Sequence, residues 1–261
     1  MVRAEPRILG VGLAAGLLAG LLGVGGGLIM GPALILKGLD LRRATGTALA
    51  VVPAAAAVAV VAEYFTAAHN HDPLLALAVA CGGPFGVAIG RAIDKRLDAS
   101  HLKILFLAVL LIASARSLGL FGQIPEQALD GISAGSRSIM LFASVGLGIL
   151  AGICSILFGV GGGIVVVPGL VFLIGGVGFH QATAVSLMAM VPTSLISLRV
   201  AYRDDRVVGR WLPALFLGSL PAVIVGVYLR NGWLDARPLT IGFGLFLLLV
   251  SWRMMKPAPH K

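Results

Sequence analysis

Charge is what this chain has least of: Asp and Glu number 11 and Lys and Arg 20 among 261 residues, together 12%. Soluble domains carry about twice that share, so a water-exposed globular fold is excluded. Cysteine is limited to Cys81 and Cys154, both within apolar runs; they read as small buried thiols, not as a disulfide. Aromatics make up 7%, and the basic residues are scattered among short loops. The net charge of +9 therefore forms no aromatic-interleaved stripe, and nucleic acid is not an expected partner. There is no Walker motif, so this chain hydrolyses no ATP. No glycine-flanked serine is partnered by a His-bearing helix, so no intramembrane enzyme is expected, and no cofactor is called for.

Apolar residues are abundant, at 58%, and glycine counts 36. Uncharged stretches cover residues 8–36, 44–62, 73–90, 138–198 with one His inside, and 211–229. Residues 104–115 and 238–252 join them if Arg116, Arg237 and Arg253 snorkel. A bilayer core of about 30 Å needs about 20 apolar residues, so the chain is polytopic, with the lipid bilayer as its solvent. Arg3 and Arg7 ahead of the first run imitate a signal peptide. Equally apolar segments recur to the C-terminus, and the first run is read as a mature membrane segment.

Gly-Val-Gly-Gly-Gly occurs twice, at 23–27 and 159–163, each followed at the same distance by proline, Pro32 and Pro168. Ala44, Thr45 and Leu49 match Ala182, Thr183 and Leu187; Pro84, Asp98, Leu102, Ser114 and Arg116 match Pro221, Asp235, Leu239, Ser251 and Arg253. An internal repeat with a membrane pattern predicts a two-fold transporter architecture. Residues 8–36 as one helix would measure about 43 Å, longer than the bilayer core. Broken at the glycines, they form a hairpin that enters and returns on one side. With such hairpins and a cytoplasmic N-terminus, only Arg116, Arg137, Arg230 and Arg237 of the 20 basic residues lie outside, in agreement with the positive-inside rule. Full crossings would divide them about equally.

The expected fold is an all-α polytopic membrane protein of two inverted repeats, each a glycine-broken re-entrant hairpin plus three transmembrane helices. Residues 1–121 form the first repeat, 122–136 an outer linker with Pro125, Glu126 and Asp130, and 137–261 the second. The helices are expected near 43–65, 73–92, 102–121, 181–202, 210–230 and 238–255. Four extra residues before the second glycine string predict a longer first arm there. The expected location is the inner (plasma) membrane, multi-pass, with both termini cytoplasmic.

These motifs resemble the sulfite exporter TauE/SafE family. Its pattern is two repeats opening with Ala-Gly, then Gly-x-Gly-Gly-Gly, a proline and an Ala-x-x-Thr/Ser stretch. Here Ala19-Gly20, Gly23 to Gly27, Pro32 and Ala44 to Leu49 match it, and again Ala151-Gly152, Gly159 to Gly163, Pro168 and Ala182 to Leu187. The resemblance covers nearly the whole chain and implies passage of small anions, often sulfur oxyanions, organosulfonates or related carboxylates. One departure is Val185 where the first repeat has Thr47, with Ser186 following.

Residue chemistry points the same way. A half-helix starting after each glycine string has N–H groups without intrahelical acceptors and the positive end of its dipole, a place that suits anions. Gly23, Gly25, Gly26 and Gly27, with Gly159, Gly161, Gly162 and Gly163, are the expected substrate-binding backbone; the bland alternative is that they only permit tight hairpins. A bulky residue at Gly26 or Gly162 is expected to abolish transport in a folded protein. Thr45, Thr47, Thr183 and Ser186 could add hydroxyl donors, with bonding to their own backbone the ordinary alternative; Thr193, Ser194 and Ser197 are weaker candidates. Glu63 stands out as the one carboxylate within a helix at membrane depth and is the proton-coupling candidate, although water exposure near its helix end is the preferred expectation. Arg91 and Arg199 read as topology anchors. His69, His71 and Asp72 read as a solvated loop, so no metal is expected. The glycine string fails as a dinucleotide fingerprint because it follows a helix and carries Leu28 or Ile164 where a small residue belongs. Gly12, Gly16 and Gly20, with Gly86 and Gly90, read as helix packing within the chain; a homo-oligomer is left open. The expected function is secondary transport of a small anion, with a passive anion channel or a non-transporting assembly subunit as alternatives.

Overall fold

The computed structural model describes residues 6–66, 71–96, 99–118, 137–171 and 177–255. Every regular element among them is helical: α1 (Pro6–Leu22), α2 (Gly27–Leu36), α3 (Leu41–Phe65), α4 (Pro73–Arg96), α5 (Ala99–Ser117), α6 (Arg137–Phe158), α7 (Gly163–Gly169), α8 (Phe179–Arg203), α9 (Leu212–Trp233, entered through a 3-10 turn at Gly209–Trp211) and α10 (Ala236–Met255). By length and composition α3, α4, α6, α8 and α9 can each cross a bilayer; α1, α2 and the Arg237–Trp252 part of α10 are shorter apolar helices. The outer linker 122–136 and His69 lie outside the described residues.

The distribution of side chains is that of a protein in lipid. Phe85, Phe142 and Leu217 are 67–78% exposed, whereas Thr47, Thr183, Ser194 and Ser219 are fully buried. In hydrocarbon an apolar exterior costs nothing, and helices associate through close packing of small residues and internal hydrogen bonds. The observed polytopic all-α fold is that solution. Cys154 is buried as expected, but Cys81 is exposed on the helical exterior; both are free thiols.

Glycine stripes set the helix pairing. On α1, Gly12 lies against Leu215 and Gly218, Gly16 against Ser219, and Gly20 against Val223 and Gly226 of α9. Both sets of numbers rise together, so α1 and α9 run parallel. The same arrangement joins α4 to α6: Gly82 meets Val145 and Gly148, Gly86 meets Ile149 and Gly152, and Gly90 meets Ile153 and Ile156. Backbones touch at each of these positions, where any larger side chain would push the helices apart. Each hairpin arm thus packs on a helix of the other half of the chain. Proline stands inside α2, α3, α4, α7, α8 and α9, where the missing N–H and the ring bend the helix.

The chain doubles back at each glycine string. Gly26 lies against Ala15 of α1, and Gly162 against Ala151 of α6, so α2 returns along α1 and α7 along α6. The second arm is the longer, 22 residues in α6 against 17 in α1. Helix α4 extends to Arg96, one turn past the expected end, which brings Asp94 into the helix at 2% exposure. Glu63 is therefore not the one buried helical carboxylate. Helix α9 also continues beyond its expected end at 230, to Trp233.

Candidate functional site

The two breaks follow the same backbone path. Gly23, Gly25 and Gly26 have φ of 69°, 73° and 70°; Gly159, Gly161 and Gly162 have 72°, 76° and 93°. Three left-handed residues in four are accessible only to glycine, which is why the string recurs without substitution. Helix α2 then starts at Gly27 with Gly26 as its N-cap and α7 at Gly163 with Gly162, and neither cap supplies a side-chain acceptor. The first helical hydrogen bonds run from Ile29 and Met30 to the Gly26 carbonyl, and from Val165 and Val166 to that of Gly162. The N–H groups of Gly27 and Leu28 precede them, inside the protein, at the positive end of the α2 dipole.

The breaks meet each other. A Cβ on Gly27 would run into the Gly159 carbonyl, and one on Gly163 into the Gly23 carbonyl. Gly23 packs on Thr183 and Gly159 on Thr45, while Gly25 and Gly161 both pack on Val52 of α3 and Met190 of α8. All eight candidate glycines are thus brought together at one place. The bulky-residue expectation for Gly26 and Gly162 needs correction: a Cβ there would meet the Ala15 or Ala151 carbonyl at 2.8–2.9 Å on a left-handed backbone, so such a variant damages the hairpin itself.

Thr45, Thr183 and Ser186 stand against the breaks, whereas Thr47 is turned to the segment after α8; all four hydroxyls are already engaged. Thr45 Oγ1 donates to the Arg42 carbonyl at 3.0 Å, Thr47 Oγ1 to that of Arg43 at 2.7 Å and Thr183 Oγ1 to that of Phe179 at 2.8 Å. Ser186 Oγ instead crosses between halves and donates to the Gly23 carbonyl at 3.0 Å. Thr193, Ser194 and Ser197 bond back to carbonyls of their own helix, and Ser197 also pairs with Ser155 at 2.8 Å. In this conformation the Gly23 and Gly159 N–H groups still donate to the Ala19 and Ser155 carbonyls, and the N–H groups of Gly27 and Leu28, not these hydroxyls, precede the first hydrogen bond of α2. A cleft of about 20 Å³, lined by Gly27, Gly31, Pro32, Thr45 and Phe158 among others, adjoins the α2 start. That is room for a water molecule and not for an oxyanion.

A family model, sulfite exporter TauE/SafE, matches residues 2–117 and 144–261. The chain belongs to the TauE/SafE family. It is a multi-pass membrane protein of a transporter family. Comparison with curated proteins and with solved structures finds no match to either.

In this TauE/SafE chain the two ends of the bundle are closed by polar contacts between the halves. At one end Asp94, 2% exposed, lies 2.5 Å from Arg206 Nη2 without hydrogen-bond alignment and 3.4 Å from Arg42 Nε. Asp204 accepts from Arg91 at 2.5 Å and from Arg206 at 3.1 Å. Arg91 is thus tied into a network, not a free anchor; Arg199 is exposed. Asp205 turns the chain with φ of 51°, and the Val208 N–H donates to Thr47 Oγ1 at 3.0 Å, clamping the segment after α8 over the start of α3. Burial raises the Asp204 pKa, but the Arg91 hydrogen bond and the charges of Arg206, Arg91 and Lys95 outweigh it and hold the carboxyl below its usual range.

At the other end Glu63, against expectation, does not face water. It is 2% exposed and ion-paired with Arg230, which is fully buried. Arg230 Nη1 also donates to the Gly20 carbonyl at 3.0 Å and Nε to Asn231 Oδ1 at 3.1 Å. Asn231 Nδ2 donates to Thr66 Oγ1 at 2.8 Å, and His180 Nε2 sits 3.1 Å from the Arg230 carbonyl. In the sequence Arg230 ends an uncharged run and the expected helix 210–230, and so counts as an outer-side charge; the signal available was an acid, Glu63, with no counterion in its own half. His71 stacks on Tyr64 and Asp72 accepts from the Leu75 N–H, and no metal-binding cluster occurs among the described residues.

Proposed function

We propose that this chain is a secondary transporter that moves a small anion of the sulfur oxyanion or organosulfonate class by alternating access, holding it where the two glycine breaks meet. The observation that carries this reading is the buried start of α2, whose first N–H groups no side chain caps, set against the matching start of α7. Uncharged donors of this kind attract an anion yet release it, where a clamp of several cations would retain it. The glycines let the two breaks approach backbone to backbone. The reciprocal pairing of α1 with α9 and of α6 with α4 supports two inverted repeats, 1–121 and 137–261, joined by 122–136. The distribution of basic residues supports an inner-membrane protein with both termini cytoplasmic. Contacts between the halves close both ends, and the central cleft is small, so passage requires the halves to rearrange; this favours a carrier over an open channel.

Counterflow tests the reading. Liposomes containing the purified chain are loaded with unlabelled sulfite and given a trace of labelled sulfite outside, with sulfonates, thiosulfate and small carboxylates as competitors. The expected result is a transient overshoot of label, with sulfur anions competing best. Equilibration without overshoot would make the protein a passive channel, and no flux from folded protein would leave a non-transporting subunit.

A further inference from the structure

The Glu63–Arg230 pair is costly where it stands. Both side chains are withdrawn from solvent, and a buried pair of this kind gains little over an apolar replacement unless every remaining polar atom is satisfied. Here one is not: Glu63 Oε1 is buried without a hydrogen-bond partner. The location is also particular. Arg230 Nη1 bonds the Gly20 carbonyl, in the last turn of α1 and three residues before the first left-handed glycine, Gly23. The guanidinium therefore holds the buried last turn of α1, which leads into the first glycine break.

We propose that Glu63 and Arg230 couple one proton to each negative charge the protein carries, an inference that rests on the anion-transport reading. With Glu63 ionised the pair is neutral, and Arg230 Nη2 is occupied by Glu63 Oε2. A proton taken up at Glu63 Oε1 converts the carboxylate to an acid, breaks the ionic attraction and leaves the site with the uncompensated charge of Arg230. A net charge in a low-dielectric interior is expensive; a monovalent anion at the glycine break that follows Gly20 restores overall neutrality. Release of the anion and of the proton regenerates the ion pair. Charge balances at each stage, so proton and anion enter and leave together.

Few other titratable groups bear on the pair. His180, at the start of α8, approaches through the Arg230 and Leu234 carbonyls at 3.1 and 3.2 Å and not through the guanidinium. Tyr64, next along α3, is turned outward at 78% exposure and stacks on His71. Asn231 and Thr66 are neutral hydrogen-bond partners. Among these groups, Arg230 supplies the one charge in contact with Glu63.

The test uses the full chain in liposomes with labelled methanesulfonate, an anion that stays ionised at all pH values used and so carries no proton across lipid by itself. Counterflow at equal pH on both sides reports transport; accumulation driven by an acid exterior, with the membrane potential clamped to zero by valinomycin and equal potassium, reports coupling. The native chain is expected to show both, with about tenfold accumulation per pH unit at one proton per charge. Glu63→Gln should keep counterflow at a reduced rate, independent of pH, and lose accumulation, while Glu63→Asp restores it. The double variant Glu63→Gln with Arg230→Gln removes both charges, and so the penalty of an unpaired ion; it should lose accumulation and weaken methanesulfonate competition. Native counterflow without accumulation, or accumulation that persists in either Gln variant, overturns the coupling and leaves the transport reading intact. Absence of native counterflow with methanesulfonate and with sulfite alike overturns both.

Discussion

The two ends of the bundle are built on equivalent positions and closed by different chemistry. Arg42 and His180 lie 138 residues apart, as do Thr66 and Asp204; Asp94 and Asn231 lie 137 apart. Thr66 and Asp204 both cap the helices that end there, α3 and α8. At the Asp94 end three arginines share two aspartates, and several of them reach solvent. At the Glu63 end the matching residues are His180, Asn231 and Thr66, and the charge is one dry ion pair whose equivalents in the other half are Ala201 and Ile93. A common backbone therefore does not imply a common role. A shared, partly wet network can lose a member and redistribute, whereas a single dry pair stands or falls as a unit.

The largest effect is expected where the pair is broken on one side. Arg230→Ala leaves Glu63 buried without a counterion and should cost about 3–5 kcal/mol, read as a drop in the thermal unfolding midpoint of the detergent-solubilised protein. Adding Glu63→Gln to it should recover most of the loss. At the opposite end Asp94→Asn should cost less, roughly 1–3 kcal/mol, because Arg206 retains Asp204. Equal losses at the two ends would erase the distinction drawn between them. Raising salt toward 1 M, where the screening length falls to about 3 Å, should weaken the Asp94 end and leave the Glu63 pair unaffected; comparing native with Asp204→Asn at each salt concentration isolates the term.

Acid gives the smallest effect and its sign is fixed. The Asp204 carboxyl titrates below its usual value in the folded protein, so its contribution is full above the unfolded value of about 3.9 and fades as pH falls through the folded one. Native protein should lose its stability advantage over Asp204→Asn only at that acid extreme. A difference already lost near pH 6 would contradict the pairing with Arg91 and Arg206.

Much of this was legible in the sequence. The scarcity of charge made the class plain, and the two glycine strings with their prolines marked the two places where the helices break. Helix ends were recovered to within a turn because Asp40, Asp72, Pro73 and the glycines punctuate the apolar runs. Gly12, Gly16, Gly20, Gly86 and Gly90 pack between helices of the chain as their spacing suggested. The polar closures were not legible, because each joins residues far apart in sequence: Glu63 to Arg230, Arg91 to Asp204, Thr47 to Val208. Periodicity and capping act over a few residues and carry no record of such pairs. Arg230 was also hidden by its place at the end of the expected helix; the helix runs on to Trp233 and the outer-side charge is buried.

Alternating access requires both faces of the membrane to reach one site at the glycine breaks in turn. Val52, fully buried and packed against both Gly25 and Gly161, reports on it directly. In a background of Cys81→Ser and Cys154→Ala, Val52→Cys is exposed in oriented liposomes to a membrane-impermeant thiol reagent added on one side or the other. Alternating access predicts slow labelling from either side, with methanesulfonate, which does not react with the reagent, slowing both. Labelling from one side alone, or from neither while sulfite counterflow continues, would contradict it.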